Sequence, residues 1–184
     1  GYPLVSVWLT GRDMKNACEV DASVVPLMPS AQLYLSGMTF TFNPNRMIFN
    51  KVTDCAQVLP DGSLAEIEDE KLYRVVTGLY CGQMLGMVND QSFGILEITP
   101  RDADGNPITD LEAHILHNAD GSEVKEWYAI ASYLQGMGTV SDLYAGTDGR
   151  KIIDSSMNPV ALLKNANWIT LVVLAVILVV VLLV

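Results

Sequence analysis

Histidine is scarce in this chain, with two in 184 residues, and its three cysteines form no Cys-x-x-Cys. Structural zinc asks for about four nitrogen and sulfur ligands at short spacing. Cys18, Cys55 and Cys81 are too widely separated and odd in number for such a site or for a disulfide framework. They read as buried thiols. Basic residues are also few, 11 against 21 acidic, which leaves a formal charge of −10. A surface of that sign repels phosphate backbones, so no nucleic-acid partner is expected. The sequence has no G-x-S-x-G, no P-loop, no G-x-G-x-x-G and no H-E-x-x-H. No internal repeat or low-complexity run occurs either. Catalytic residues and metal ligands are therefore expected to be absent from this stretch, and no cofactor is assigned to it.

Two weaker patterns fail on inspection. Asp102, Asp104, Asn106, Asp110 and Glu112 resemble a calcium loop, but the sixth position is Pro107 and the twelfth is Ala113. A calcium loop needs glycine and a bidentate glutamate there, so a hairpin turn is the better reading. His114 and His117 are spaced for a metal on a helix, yet the surrounding residues look like a strand, where positions three apart face opposite sides.

What the sequence does have is a long apolar end. From Trp168 to Val184 only Thr170 is polar, and no charge, glycine or proline interrupts the run. About 17 residues at ~1.5 Å each reach ~25 Å, slightly less than the ~30 Å of a bilayer core. The expectation is a C-terminal transmembrane helix over 168–184 whose end is cut off, with a GPI-attachment signal around Asp154-Ser155-Ser156 as the rival. Residues 139–167, polar and dotted with glycine, read as a stalk. The chain as a whole reads as a fragment open at both ends.

The remaining 1–138 reads as one α+β domain with a mixed sheet and two or three helices. Strands are expected at 5–9, 32–42 with a bend at Gly37, 47–52, 72–77, 93–99 and 108–116. Thr10 and Asp13 form a capping-box helix start. A short helix is expected over 80–87. A second starts near Asp120-Gly-Ser-Glu123, with Val124, Trp127, Ala131 and Leu134 on one face and a stop at Gly136.

Three ordered segments carry a resemblance. They are Leu4-Val-Ser-Val-Trp-Leu-Thr-Gly-Arg-Asp-Met-Lys-Asn-Ala-Cys-Glu19, Leu35-Ser-Gly-Met-Thr-Phe-Thr-Phe-Asn-Pro44 and Lys71-Leu-Tyr-Arg-Val-Val-Thr-Gly-Leu-Tyr80. Over about residues 5–93 the chain resembles the C-terminal domain of 5′-nucleotidases. In that family the domain follows a metallophosphoesterase domain with two divalent metal ions and a His–Asp pair, and stacks the nucleobase between two aromatic rings. The resemblance puts the second stacking ring at Tyr80, whose alternative is a ring half-buried against the sheet. The first ring would fall just before Gly1. The family's Gly-Gly-Asp-Gly turn is replaced by Gly82-Gln-Met-Leu-Gly86, without the aspartate that helps hold substrate.

The resemblance implies the substrate-recognition domain of a membrane-anchored 5′-nucleotidase-like hydrolase. Its partners would be a nucleotide or nucleoside, the membrane, and an upstream metallophosphoesterase domain of the same chain. Its place would be the cell membrane, single-pass, with the domain on the extracellular side. The alternative is a non-enzymatic surface binding module on the same fold.

Overall fold

A computed structural model of the chain describes residues 1–88, 92 and 94–183. In chain order its elements are β1 (Leu4–Thr10), α1 (Gly11–Val24), β2 (Met38–Phe42), β3 (Val52–Val58), β4 (Leu64–Glu66), β5 (Leu72–Gly78), α2 (Leu79–Gly86), α3 (Glu126–Met137), β6 (Lys151–Ile153), α4 (Pro159–Leu163) and α5 (Trp168–Leu183). The α+β class with a mixed sheet is as expected, although five α-helices are present among the described residues. The chain forms two compact units, Gly1–Ala17 with Ile67–Asp148, and Cys18–Glu66 with Gly149–Val184.

The first unit is organised by β1, which pairs antiparallel with β5 from Leu4↔Gly78 to Thr10↔Leu72. Strict alternation along β1 buries Val5, Val7 and Leu9. Each such aliphatic side chain contributes about 1.5–3 kcal/mol on leaving water. Ile67, Tyr73, Leu79, Leu96 and Ile98 are buried in the same unit. The strands expected over 93–99 and 108–116 are not formed. Phe93 lies outside the described residues, and the rest of these segments contributes a single bridge, Val5↔Ile115, while the bridge Trp8↔Arg101 falls between them. Pro100 and Pro107 lack the backbone donors that a longer ladder would need.

At the end of β1 the expected capping box is present. Asp13 N donates to Thr10 Oγ1 at 3.1 Å, and Thr10 N donates back to Asp13 Oδ2 at 2.9 Å. Between them Gly11 is pressed against the backbone of the Ile67–Glu68 segment, where an added Cβ would overlap the Glu68 carbonyl and lie 2.7 Å from Ile67 Cγ2. Gly11→Ala is therefore expected to lower stability by about 1–3 kcal/mol, seen as an earlier midpoint in urea unfolding.

The second unit carries a four-stranded sheet in the order β4-β3-β2-β6. β2 pairs antiparallel with β3 and parallel with β6, so the sheet is mixed. Phe40, 1% exposed, fills its centre. The strand expected over 32–42 is shorter, because a 3-10 turn (Pro29–Ala31) and then Gly37 at φ +77° hold the chain out of extended geometry until Met38. The strand expected over 47–52 is instead a looped segment leading into β3. There Arg46 Nε donates to Asn50 O at 2.6 Å and Phe49 takes φ +60°.

The expected stalk also differs, since most of it is folded. Within 149–167, β6 covers the edge of β2, with Phe40 N donating to Arg150 O at 2.9 Å and Asp154 N to Phe42 O at 3.0 Å. Asn43 Nδ2 holds Ser156 O at 2.8 Å, and Arg46 Nη1 holds Ala161 O at 2.8 Å. An open strand edge offers a row of unmet donors and acceptors, and this segment satisfies them. α5 starts from Asn167, whose Oδ1 accepts from Thr170 N at 2.9 Å and Thr170 Oγ1 at 2.8 Å. Among the described residues no helix is long and apolar enough to cross a membrane. The 16 residues of α5 span ~24 Å.

Candidate functional site

The end of β5 positions the ring singled out in the sequence. Gly78 closes the strand in extended geometry and caps α2, so the chain turns at once into the helix. Leu79 N donates to Pro3 O at 2.9 Å, which fastens the start of α2 to the residues entering β1. Tyr80 is thereby set beside Tyr2. Their rings stack with centroids 5.2 Å apart and planes 23° from parallel. The pair is open to solvent, Tyr2 at 52% and Tyr80 at 51% exposure. Tyr80 is thus half exposed, with one face of its ring against Tyr2.

A second segment of the same unit closes on this pair. Leu4 N donates to Val124 O at 2.8 Å and Glu126 N to Tyr2 O at 3.1 Å, so the start of α3 is hydrogen-bonded beside Tyr2. The Glu126 carboxylate lies over Gly78, in space that any Cβ at Gly78 would fill, and a Cβ at Gly1 would lie 2.8 Å from Trp127 Cδ1. Trp127 and Tyr128 meet edge-to-face, with centroids 5.7 Å apart at 79°. Beside them a shallow depression of about 520 Å³ is bordered by Asn118, Asp120, Ser122 and Lys125. Lys125 pairs with Glu123 and holds its carboxyl below the usual glutamate range.

Chemically, the arrangement offers π-faces, the carboxylates of Glu123 and Glu126, Asp120 and one lysine. A flat ring can add to such a face by offset stacking, which is tolerant of ring identity. Among the described residues no group of three or more His, Cys, Asp or Glu could hold a metal ion. His114 sits in a 3-10 turn and His117 bridges Glu123, so the two are not brought together on a helix. Asp102 accepts from Asp104 N at 2.9 Å and Asn106 N at 2.8 Å, which makes the acidic 102–106 segment a turn.

Two features were not legible beforehand. Tyr2 precedes β1 with no motif around it. Trp127 was expected on one apolar face of a helix with Ala131 and Leu134, but that helix buries none of its residues and Trp127 is 60% exposed. α2, for its part, is a regular helix through Gly82 and Gly86 with no acidic residue in its first turn.

Residues 1–88, which include both tyrosines of the stack, match the family described as 5′-nucleotidase, C-terminal domain. This segment belongs to that family. The nucleotidase domain's fold is likewise found in two solved structures. One is the 5′-nucleotidase precursor from Thermus thermophilus, 20% identical, with a TM-score of 0.58 over 85% of this chain and 26% of that one. The other is the Haemophilus influenzae NAD nucleotidase, 15% identical, with a TM-score of 0.52 over 84% of this chain and 25% of that one. The chain thus spans about a quarter of the length of these neighbours. No curated protein matches the sequence.

Proposed function

We propose that this chain is the substrate-recognition part of a membrane-anchored 5′-nucleotidase-like hydrolase of nucleotide phosphate esters, with Tyr80 as a stacking surface for the nucleobase. The observation that carries the reading is the solvent-open Tyr2–Tyr80 stack at the β5–α2 turn, inside the segment that matches the nucleotidase domain. In this reading the chemistry belongs to a metallophosphoesterase domain elsewhere in the same protein, where two divalent metal ions would activate water and stabilise charge on phosphorus. The residues of this chain bind and orient, and none of them transfers a proton or attacks.

In this reading the anchor is α5, with the two folded units on the extracellular side. Its attachment is firm, because Asn167 Nδ2 donates to Phe49 O at 2.8 Å and Asn167 N to Asn50 Oδ1 at 3.3 Å. Trp168, 71% exposed at the head of the helix, suits the bilayer interface.

One observation favours a second reading, a surface module that binds without serving a hydrolase: α2 offers no carboxylate to a ribose. Titration of the 184-residue chain in detergent with adenosine, followed by the tyrosine ring resonances, separates the two. The expected result is a saturable shift of the Tyr80 ring, with Tyr80→Ala weakening binding about 5–100-fold and Tyr80→Phe leaving it nearly intact. A silent Tyr80 at millimolar adenosine would leave the binding-module reading in possession.

A further inference from the structure

The interior of the second unit holds two sulfur atoms in contact. Cys18, on the part of α1 that belongs to this unit, is fully buried, and Cys55 on β3 is nearly so. Their Sγ atoms are 3.4 Å apart, although the residues are 37 positions apart in sequence. A disulfide bond is about 2.05 Å long, so closure needs about 1.4 Å, shared between small rotations of two side chains. Around them Glu19 ties α1 to the start of β3, accepting from Lys51 N at 2.8 Å and Val52 N at 2.7 Å. The helix and the strand are thus tied to each other beside the sulfur pair.

We propose that Cys18 and Cys55 are a covalent modification site, joined by a disulfide when the chain folds in an oxidising compartment, so that α1 is clamped to β3. The oxidant is a disulfide of the glutathione class. A thiolate of one cysteine attacks a sulfur of oxidised glutathione, forms a mixed disulfide and releases one glutathione thiolate. The thiolate of the other cysteine attacks the protein sulfur of that mixed disulfide, forms the Cys18–Cys55 bond and expels the second glutathione thiolate. The protein dithiol gives up two electrons and two protons, and oxidised glutathione becomes two glutathione thiols.

Timing follows from the surroundings. The hydrogen bond with Cys55, followed by burial, pushes the Cys18 thiol far above its ordinary range. Thiolate is the reacting species, so the exchange belongs to a partly opened chain, before the pair is enclosed. The same enclosure then shields the finished bond from reductants. This site does not depend on Tyr80 or on nucleotide binding, only on an oxidising environment.

The test uses the full 184-residue chain in detergent, refolded in glutathione buffers of graded poise, alkylated under denaturing conditions and mapped by peptide mass. As the buffer becomes oxidising, a Cys18–Cys55 linked peptide is expected to accumulate while Cys81 is alkylated throughout. The thermal midpoint of the oxidised chain is expected to rise by roughly 5 °C or more and to fall back on reduction. Cys81→Ser should keep both effects, and Cys18→Ser or Cys55→Ser should lose both. If either of the latter fails to fold, the wild-type comparison alone decides. Alkylation of both residues at every poise, linkage through Cys81, or an oxidised midpoint no higher than the reduced one would overturn the proposal.

Discussion

Replacing Asp13 with alanine is expected to lower stability by about 3–5 kcal/mol, the cost of breaking a buried ion pair from one side. The carboxylate is 4% exposed as a residue and serves four donors. Oδ2 accepts from Thr10 N at 2.9 Å, Thr10 Oγ1 at 2.7 Å and Arg101 Nη1 at 2.6 Å, while Oδ1 accepts from Thr99 N at 3.2 Å. Alanine removes the carboxylate half of the capping box and leaves a guanidinium whose side chain is only 21% exposed without its counter-charge. The exposed pair Arg12–Glu70 provides the contrast, since its side chains are 64% and 82% exposed. Arg12→Ala should cost less than about 1 kcal/mol. Urea unfolding of both variants checks the difference, and a loss below about 1 kcal/mol for Asp13→Ala would mean that water replaces the carboxylate without penalty.

Glu19→Ala is expected to cost about 3–4 kcal/mol near neutral pH, because three donors lose their acceptor and a cavity opens under the sheet. Those donors are Ser23 Oγ at 2.6 Å, Lys51 N at 2.8 Å and Val52 N at 2.7 Å. The pH dependence has a definite sign. Burial raises the Glu19 carboxyl above its ordinary 4.5, outweighing the hydrogen bonds and the attraction of Arg46 that pull it down. A group whose folded pKa is raised contributes stability that is fully present below the unfolded value and fades as pH rises through the folded one. The gap between wild type and Glu19→Ala should therefore be wider near pH 5 than near pH 8. Urea midpoints across that range measure it, and a gap that narrows on acidification would show that the hydrogen bonds win over burial.

How much of this was legible in sequence depends on whether the signal was local. The capping box needs only Thr10 and Asp13 in one turn of chain, and it formed as spaced. The β5–α2 junction that exposes Tyr80 is equally local, set by Gly78 at the end of an alternating strand. The expected strands over 93–99 and 108–116 failed because apolar pattern alone does not say whether a neighbour with matching donors will lie alongside. α3 shows the same limit, since its periodic apolar residues remain exposed along the whole helix.

By itself, then, the sequence determined the α+β class, a resemblance to the nucleotidase domain over about residues 5–93 that the family match over 1–88 meets, and the apolar character of 168–184. Only the tertiary structure decided that Tyr2 is the ring beside Tyr80, that 149–167 completes a sheet instead of hanging free, and that Cys18 lies against Cys55. Each of those facts is a meeting of residues far apart in the chain, and such meetings are fixed by which strand edge and which helix face are left to be covered, information that no short stretch of sequence carries.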